Sequence, residues 1–508
     1  MKILFVSPVS VTIELDNEDI YYSSKVYDVF VNDTVYLKGM NTNVFSLYDL
    51  EPDTVYKITA LDKTIFVKTD PCNRIIRDFT ICKDASIDVT KQIQYLIDSA
   101  KPGDMVVIEE GRYLITSLML KSDITLYLKS GAKLIASINE NDYEEFDGEI
   151  PTNDGDVSQL GTWEGSPCKM KKSIINGIEV HNVKIVGEGM INGRADESTW
   201  WINHREKPYA RPHIVFLVRC RDVVLQGIKL KNSPQWTIHP YFSSRIGFYN
   251  ITIENPKISP NTDGINPQCC NNVNIIGVHF SVGDDCIALK SGKIYIGKKY
   301  RTPSQNITIR NCLMQYGHGA VVLGSEMSGG IKDITVERCV FDSTDRGLRI
   351  KTRRGRGDTC IVDGVTFSNI IMKNVLTPLV INMFYFCDPD GKTEYVWSKE
   401  KLPVDDRTPY MGKFTFKNIT AVDSEYAAGY FYGLPEMPIG EINIENVDIS
   451  FKKDAGKGTP AMMSYAEECS RRGFVFKNVK SVHMRNVNVE NQIGPVYDSE
   501  GCDEIVYE

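Results

Sequence analysis

With 508 residues the chain exceeds the length at which a single core usually stops growing, so one elongated domain, or a large domain with a small companion, is expected. Apolar residues make up 42% and charged residues 24%, with no biased segment, which excludes a disordered chain. The net charge of −8 excludes a general nucleic-acid binder, although a local basic site can still act on an acidic substrate.

The N-terminal run Met1-Lys2-Ile3-Leu4-Phe5-Val6 is interrupted by Ser7-Pro8 and leads into Glu14 and Asp16 without a small-residue cleavage site. A first strand rather than a signal peptide is expected. No segment approaches the roughly 18 to 20 apolar residues that cross a bilayer, so no membrane partner and a cytoplasmic location are expected. Residues 1–70 alternate apolar and polar positions, as in Val11-Thr12-Ile13-Glu14-Leu15 and Val55-Tyr56-Lys57-Ile58-Thr59, which predicts a small antiparallel β-sandwich. Within it, Leu50-Glu51-Pro52-Asp53-Thr54-Val55-Tyr56 resembles the stretch of fibronectin type III domains whose tyrosine makes a corner hydrogen bond. The expected role of this unit is structural, or it walls off one end of a site.

A boundary is expected near Asp70-Pro71, with a second domain over 75–508. Residues Asp88 to Ile97 predict a short amphipathic helix capped by Asp88 or Thr90. Beyond Gly103 a unit of the form polar, Val/Ile, x, Val/Ile recurs. It stands at Asn182-Val183, Asp222-Val223, Asn272-Val273, Asn306-Ile307, Asp333-Ile334 and Gly364-Val365, with further copies around Ile419, Ile442 and Val487. Successive intervals between Val223, Ile246, Val273, Ile307, Ile334 and Val365 are 23, 27, 34, 27 and 31 residues, an irregular solenoid period. Short β-branched strands without intervening helices make the fold class all-β, a right-handed parallel β-helix behind the small sandwich.

The 13 cysteines show neither a disulfide framework nor paired C-x-x-C spacing. Cys269 and Cys270 are adjacent, and Cys220, Cys286, Cys312 and Cys339 fall in apolar strand contexts, where a thiol behaves as a small hydrophobe. A reducing compartment and no zinc site are expected. Asn250-Ile251-Thr252, Asn306-Ile307-Thr308 and Asn418-Ile419-Thr420 match the glycosylation pattern, but their place in the repeat makes stacked turn asparagines the simpler account.

Three motifs carry chemistry: Asn261-Thr262-Asp263-Gly264, Gly283-Asp284-Asp285-Cys286 and Gly317-His318-Gly319, followed by Arg349-Ile350-Lys351. They supply three carboxylates, an imidazole and two cations, enough for acid/base work on an anionic substrate. Asp263 and Asp284 are 21 residues apart, about one short rung, so a β-helix sets them on neighbouring strands of one face. Asp284 and Asp285 are consecutive, so both reach one cleft only if the backbone bends, which Gly283 makes easy as a bulge or turn.

With these four motifs in this order, the chain resembles the polygalacturonases of glycoside hydrolase family 28 over about residues 75 to 500. The resemblance implies inverting hydrolysis of α-1,4 bonds in polygalacturonate or oligogalacturonides, with no cofactor and no metal. It makes Asp284 the general acid and Asp263 and Asp285 the pair that activates water, at the carboxyl separation of about 6.5 to 9.5 Å that inversion needs. Three clustered carboxylates should hold one proton near neutral pH. His318 tunes the acid or binds sugar, and Arg349 and Lys351 pair with a galacturonate carboxylate. Arg346, Arg353, Arg354 and Arg356 either line the cleft or form a solvated loop. An insertion with Tyr295, Lys298, Lys299, Tyr300 and Arg301, and the stretch Asn232 to Pro240, resemble exo-acting members and imply loops that close one end of the groove. Trp236, His239 and Tyr385 are the further candidate sugar contacts, although Trp236 equally suits a core. A calcium-dependent pectate lyase and a non-catalytic carbohydrate-binding solenoid are the alternatives.

Overall fold

Residues 2–68 form seven strands in two antiparallel sheets, one of Lys2–Val6, Val11–Glu14 and Val44–Leu47, the other of Tyr22–Val31, Thr34–Thr42, Val55–Ala60 and Lys63–Lys68. The computed structural model describes all residues except 147, 152–154, 203 and 207–210. The alternating apolar positions face each other across the two sheets, with Val11, Ile13, Val29, Phe45, Leu47 and Ile58 buried between them. The Tyr56 hydroxyl accepts from the Glu51 backbone N–H at 2.7 Å, the corner bond expected from the Leu50–Tyr56 stretch.

The remainder is a parallel β-helix built around one long stack of strands. Val183, Val223, Ile246, Val273, Ile307, Ile334, Val365, Phe414, Ile442 and Val482 stand in unbroken register, one rung every ~4.8 Å. The copies around Ile419 and Val487 belong to a neighbouring row instead, paired with Ile370 and Val447. The reason is strand length. From Ile331–Asp342 onward single strands of 12 or 13 residues carry both rows. Between the two rows Asn369, Asn418, Asn446 and Asn486 adopt φ near 54°, a left-handed bend that asparagine tolerates. Their amides form a ladder, each of the later three donating to the one before it at 2.9–3.0 Å. Asn418 is thus a stacked turn residue, and Asn306 likewise donates to Asn271, whereas Asn250 donates across to Ser46 of the sandwich.

Helix α1 (Thr90–Ser99) closes the first rung with Ile93, Leu96 and Ile97. Its N-cap is Val89, without a side-chain bond. Neither Asp88 nor Thr90 occupies the cap, because Thr90 is the first helical residue and Asp88 accepts from its N–H at 2.7 Å.

The sandwich packs on the flank of the solenoid. Phe5, Val9 and Val44 pack with Val107, Tyr127, Val186, Tyr249 and Ile276. Beside them the buried Glu14 carboxylate takes Arg310 at 2.7 and 2.8 Å, Asn311 at 2.7 Å and Arg338 at 2.8 Å. These groups fix the structural role; none of residues 1–70 lines the site described next, so the sandwich does not wall it off. All 13 cysteines are unpaired. Among the described residues no helix is long and apolar enough to cross a membrane.

Candidate active site

A second face of the solenoid, formed by Ile287–Leu289, Val321–Gly324, Arg346–Lys351 and Thr377–Asn382, carries the motifs. Ile265 pairs with Ile287, and Ile287 with Val321. The register partner of Asp263 is therefore Asp285, two residues before Ile287, and not Asp284 as the 21-residue interval suggests. Asp284 instead faces His318, whose N–H donates to the Asp284 carbonyl at 3.1 Å. The backbone does bend at Gly283 and Asp284, but Gly283 serves by close approach. A Cβ there would meet the Ser259 carbonyl at 2.4 Å, and one on Gly317 the Asp284 carbonyl at 2.5 Å. The motif glycines let successive rungs touch.

The three carboxylates converge, with one oxygen of each lying within 4.8 Å of the others. Adjacent rungs set this distance between the nearest oxygens. Asp263 accepts from the Asn266 amide at 2.7 Å, and Asp284 from the Asp285 N–H at 2.9 Å. His318 Nδ1 stands 3.3 Å from Asp284, while Asp285 receives Arg349 at 3.2 Å and Lys351 at 2.8 Å. The spacing of these oxygens alone suits a cation, but Asp285 already carries two fixed positive charges, from Arg349 and Lys351.

Burial, and then the Asp284 charge, push the Asp263 carboxyl well above the usual range. Burial also opposes ionisation of Asp284, but the His318 bond and the charges of His318, Lys351 and Arg349 win and pull it down to about 2. The same bond lifts His318 to about 9. Protonation is thus favoured on Asp263 and on His318 and disfavoured on Asp284. The acid expected at Asp284 is ionised at rest because an imidazolium faces it.

The pocket around these groups has a volume of about 200 Å³ and is also lined by Trp236, Lys290, Glu326, Glu164, Tyr385 and Met462. Trp236 is buried but reaches the pocket, its ring stacked on Trp163 at 5.2 Å with the Lys290 ammonium 4.5 Å away. Tyr385 lines the wall with the Lys351 ammonium 5.8 Å from its ring. Lys290 pairs with Glu326 at 3.0 Å, both nearly inaccessible.

Other expectations fail for identifiable reasons. His239 is fully buried against His213, Phe216 and Tyr241. Its strand face points outward, but the 146–170 segment covers that face with Phe146, Ile150 and Leu160. The four arginines neither line the pocket nor form a solvated loop. Arg353 and Arg356 pair with Asp388, Arg354 with Glu436, and Arg346 donates to the Thr459 and Pro460 carbonyls. The insertion folds as helix α2 (Ile294–Tyr300), with Tyr300 packed on Phe242 and Lys298 paired with Asp406. It lies behind the wall rather than in it. The wall itself is the hairpin of Thr162–Trp163 and Ser166–Pro167, pinned where the Lys293 N–H donates to the Gly165 carbonyl at 2.9 Å.

Sequence reasoning missed Asn266, Lys290, Glu326 and Glu164. Asn266 was within reach, three residues after Asp263 on the same turn. Glu164 gave no local signal, since its hairpin lies a hundred residues upstream of the motifs.

The profile described as "Glycosyl hydrolases family 28" matches residues 154–469. A probable polygalacturonase of Vitis vinifera is 31% identical over 360 residues, covering 70% of this chain and 68% of that protein. A family 28 exopolygalacturonase structure from Yersinia enterocolitica superposes with a TM-score of 0.75 at 21% identity, over 99% of this chain and 97% of that one. A hyperthermoactive exopolygalacturonase structure from Thermotoga maritima gives 0.65 at 25% identity, over 79% and 94%. Relatives named as endo-acting and as exo-acting both occur among the matches. On a parallel β-helix with the four motifs gathered in one pocket, the chain belongs to the glycosyl hydrolases of family 28.

Proposed function

We propose that this pocket hydrolyses α-1,4-galacturonosidic bonds of polygalacturonate and its oligomers from a chain end. The observation that carries the reading is the meeting of three carboxylates with Arg349 and Lys351 on one wall. The carboxylates supply the acid and base, and the cations supply partners for a uronate.

In the proposed reaction a proton passes from Asp263 to Asp284 as substrate enters. This one transfer makes both reagents, since Asp284 becomes the acid that protonates the leaving oxygen and Asp263 becomes a free base. Asp263 and Asp285, one rung apart, then grip a single water between them and direct it at the anomeric carbon. Two carboxylates holding water suit inversion, whereas a covalent route needs only one as nucleophile. His318 keeps Asp284 within reach and balances its charge until the transfer. Exo action is supported by the Trp163–Glu164 hairpin, which closes the groove over Trp236 on the rung before Asp263.

Product analysis on polygalacturonate with a chelator present tests this reading. Monomer or a single short oligomer from the first minutes, with new reducing ends and no unsaturated product, is expected. Early mixed oligomers would sink the exo assignment, and a metal-dependent ultraviolet-absorbing product would identify a lyase. Proton NMR of the first product reads the stereochemistry, with the β-anomer expected.

A further inference from the structure

The register that sets Asp263 against Asp285 runs on past the pocket. Lys351 pairs with Asn382, Asn382 with Tyr432, and Tyr432 with Lys477, so all four leave the sheet on the side of the pocket. Three rungs put Lys477 roughly 14 Å from Lys351. A sugar residue in an extended polyuronate is close to one rung long.

Over this row stands Lys399, half-buried, its ammonium 3.4 Å from the centre of the Phe384 ring and 5.1 Å from that of Tyr432. The Lys477 ammonium lies 5.5 Å from the same Tyr432 ring, so two cations flank one aromatic. The neighbouring cations are satisfied, Arg354 by Glu436 and Lys477 by Glu500. Lys399 is not. Its one polar neighbour among the described residues is the Met463 sulfur at 4.0 Å. Burial, with Arg354 and Lys477 nearby, pushes its ammonium down to about 7. A desolvated cation without an anion is costly, and a carboxylate brought by a ligand would relieve it. Two residues before Lys399, Trp397 meets the exposed Tyr465 ring edge-on at 5.5 Å, a face on which a sugar can stack.

We propose that Lys399, with the Tyr432 and Tyr465 rings, forms a distal subsite for the carboxylate of a uronic acid residue in a chain whose end occupies the pocket. The inference rests on the function proposed above. The subsite is separate from the pocket. Met462 lines the pocket while Met463 faces Lys399, consecutive residues on opposite sides of one crossing segment. A digalacturonate fills the pocket without reaching Lys399, whereas a hexagalacturonate crosses the methionine ridge.

The test compares kcat/KM for digalacturonate and hexagalacturonate in the wild type, Lys399→Met and Lys399→Arg. In Lys399→Met the hexamer-to-dimer ratio should fall about tenfold, the worth of one charge-assisted hydrogen bond, and Lys399→Arg should restore most of it. An unchanged ratio in Lys399→Met overturns the subsite while leaving the proposed function standing. A wild type that cleaves neither oligomer overturns the proposed function, and the subsite with it.

Discussion

Two groups of charges share one wall of the solenoid and behave differently. Around Arg354 the guanidinium and the Glu436 carboxylate are each 1% exposed and meet at 2.5 and 2.9 Å, and the Tyr395, Ser398 and Glu400 carbonyls take the remaining donors. Around Asp285 the cations are nearly as buried, yet the carboxylates beside them share protons and open on the pocket. Burial does not separate the two groups. What separates them is unused hydrogen-bonding capacity: a charge whose partners are complete holds the fold, and one with capacity left over can receive a ligand.

The sharpest break in this contrast is Asp284→Asn, which should lower kcat by about 10³-fold or more and move the denaturation midpoint only by what the His318 pair contributes. Substantial residual turnover removes Asp284 from the acid role. Arg354→Ala should do the reverse, costing about 3 to 5 kcal/mol in chemical denaturation by stranding the Glu436 carboxylate, with Arg354→Met/Glu436→Leu recovering most of it. If the double variant is no better than the single one, the pair is not the source of the loss. Lys351→Met should fall between these, weakening kcat/KM for oligogalacturonates about tenfold to a hundredfold while Arg349 keeps Asp285 paired; an equal loss on a neutral oligosaccharide analogue would point away from uronate recognition.

The smallest effect is a matter of pH. His318 is lifted by its Asp284 bond from 6.5 to about 9, so its contribution to stability is complete below pH 6.5 and lost as pH rises through about 9. Asp284 is held at about 2 against 3.8 despite its burial, chiefly by His318, so its contribution is complete above 3.8 and lost as pH falls through about 2. The wild-type midpoint should therefore decline between pH 6.5 and 9, and His318→Gln should flatten that decline. A slope that survives in His318→Gln belongs to other groups.

The repeat was legible because its signal is local. Each rung announces itself by a β-branched pair after a residue that tolerates the left-handed bend, and the row from Val183 to Val365 follows from that pattern alone, whereas at Ile419 and Val487 the same pattern marks the neighbouring row. The catalytic residues were legible because short motifs carry them, and because one rung brings positions about twenty residues apart together. The one-residue slip between Asp284 and Asp285 was not legible, since it depends on the pairing of Ile265 with Ile287, which spacing cannot resolve. Arg353, Arg354 and Arg356 misled because their partners lie more than thirty residues away at Asp388 and Glu436. His239 misled for a related reason, as the lid over its strand comes from a distant insertion. Local pattern fixes which face a residue takes, while only the tertiary fold determines what covers it.

Glu14 has a consequence for the order in which the chain assembles. Its carboxylate is made well before its guanidinium donors, Arg310 and Arg338, which follow 296 and 324 residues later. On the ribosome the sandwich can close its own core early, yet the anion at its edge has none of these partners until Arg310 and Asn311 have emerged. The latch between the first domain and the middle of the solenoid is thus set late, and a chain cut short before Arg310 lacks every side chain that answers this carboxylate, Arg310, Asn311 and Arg338.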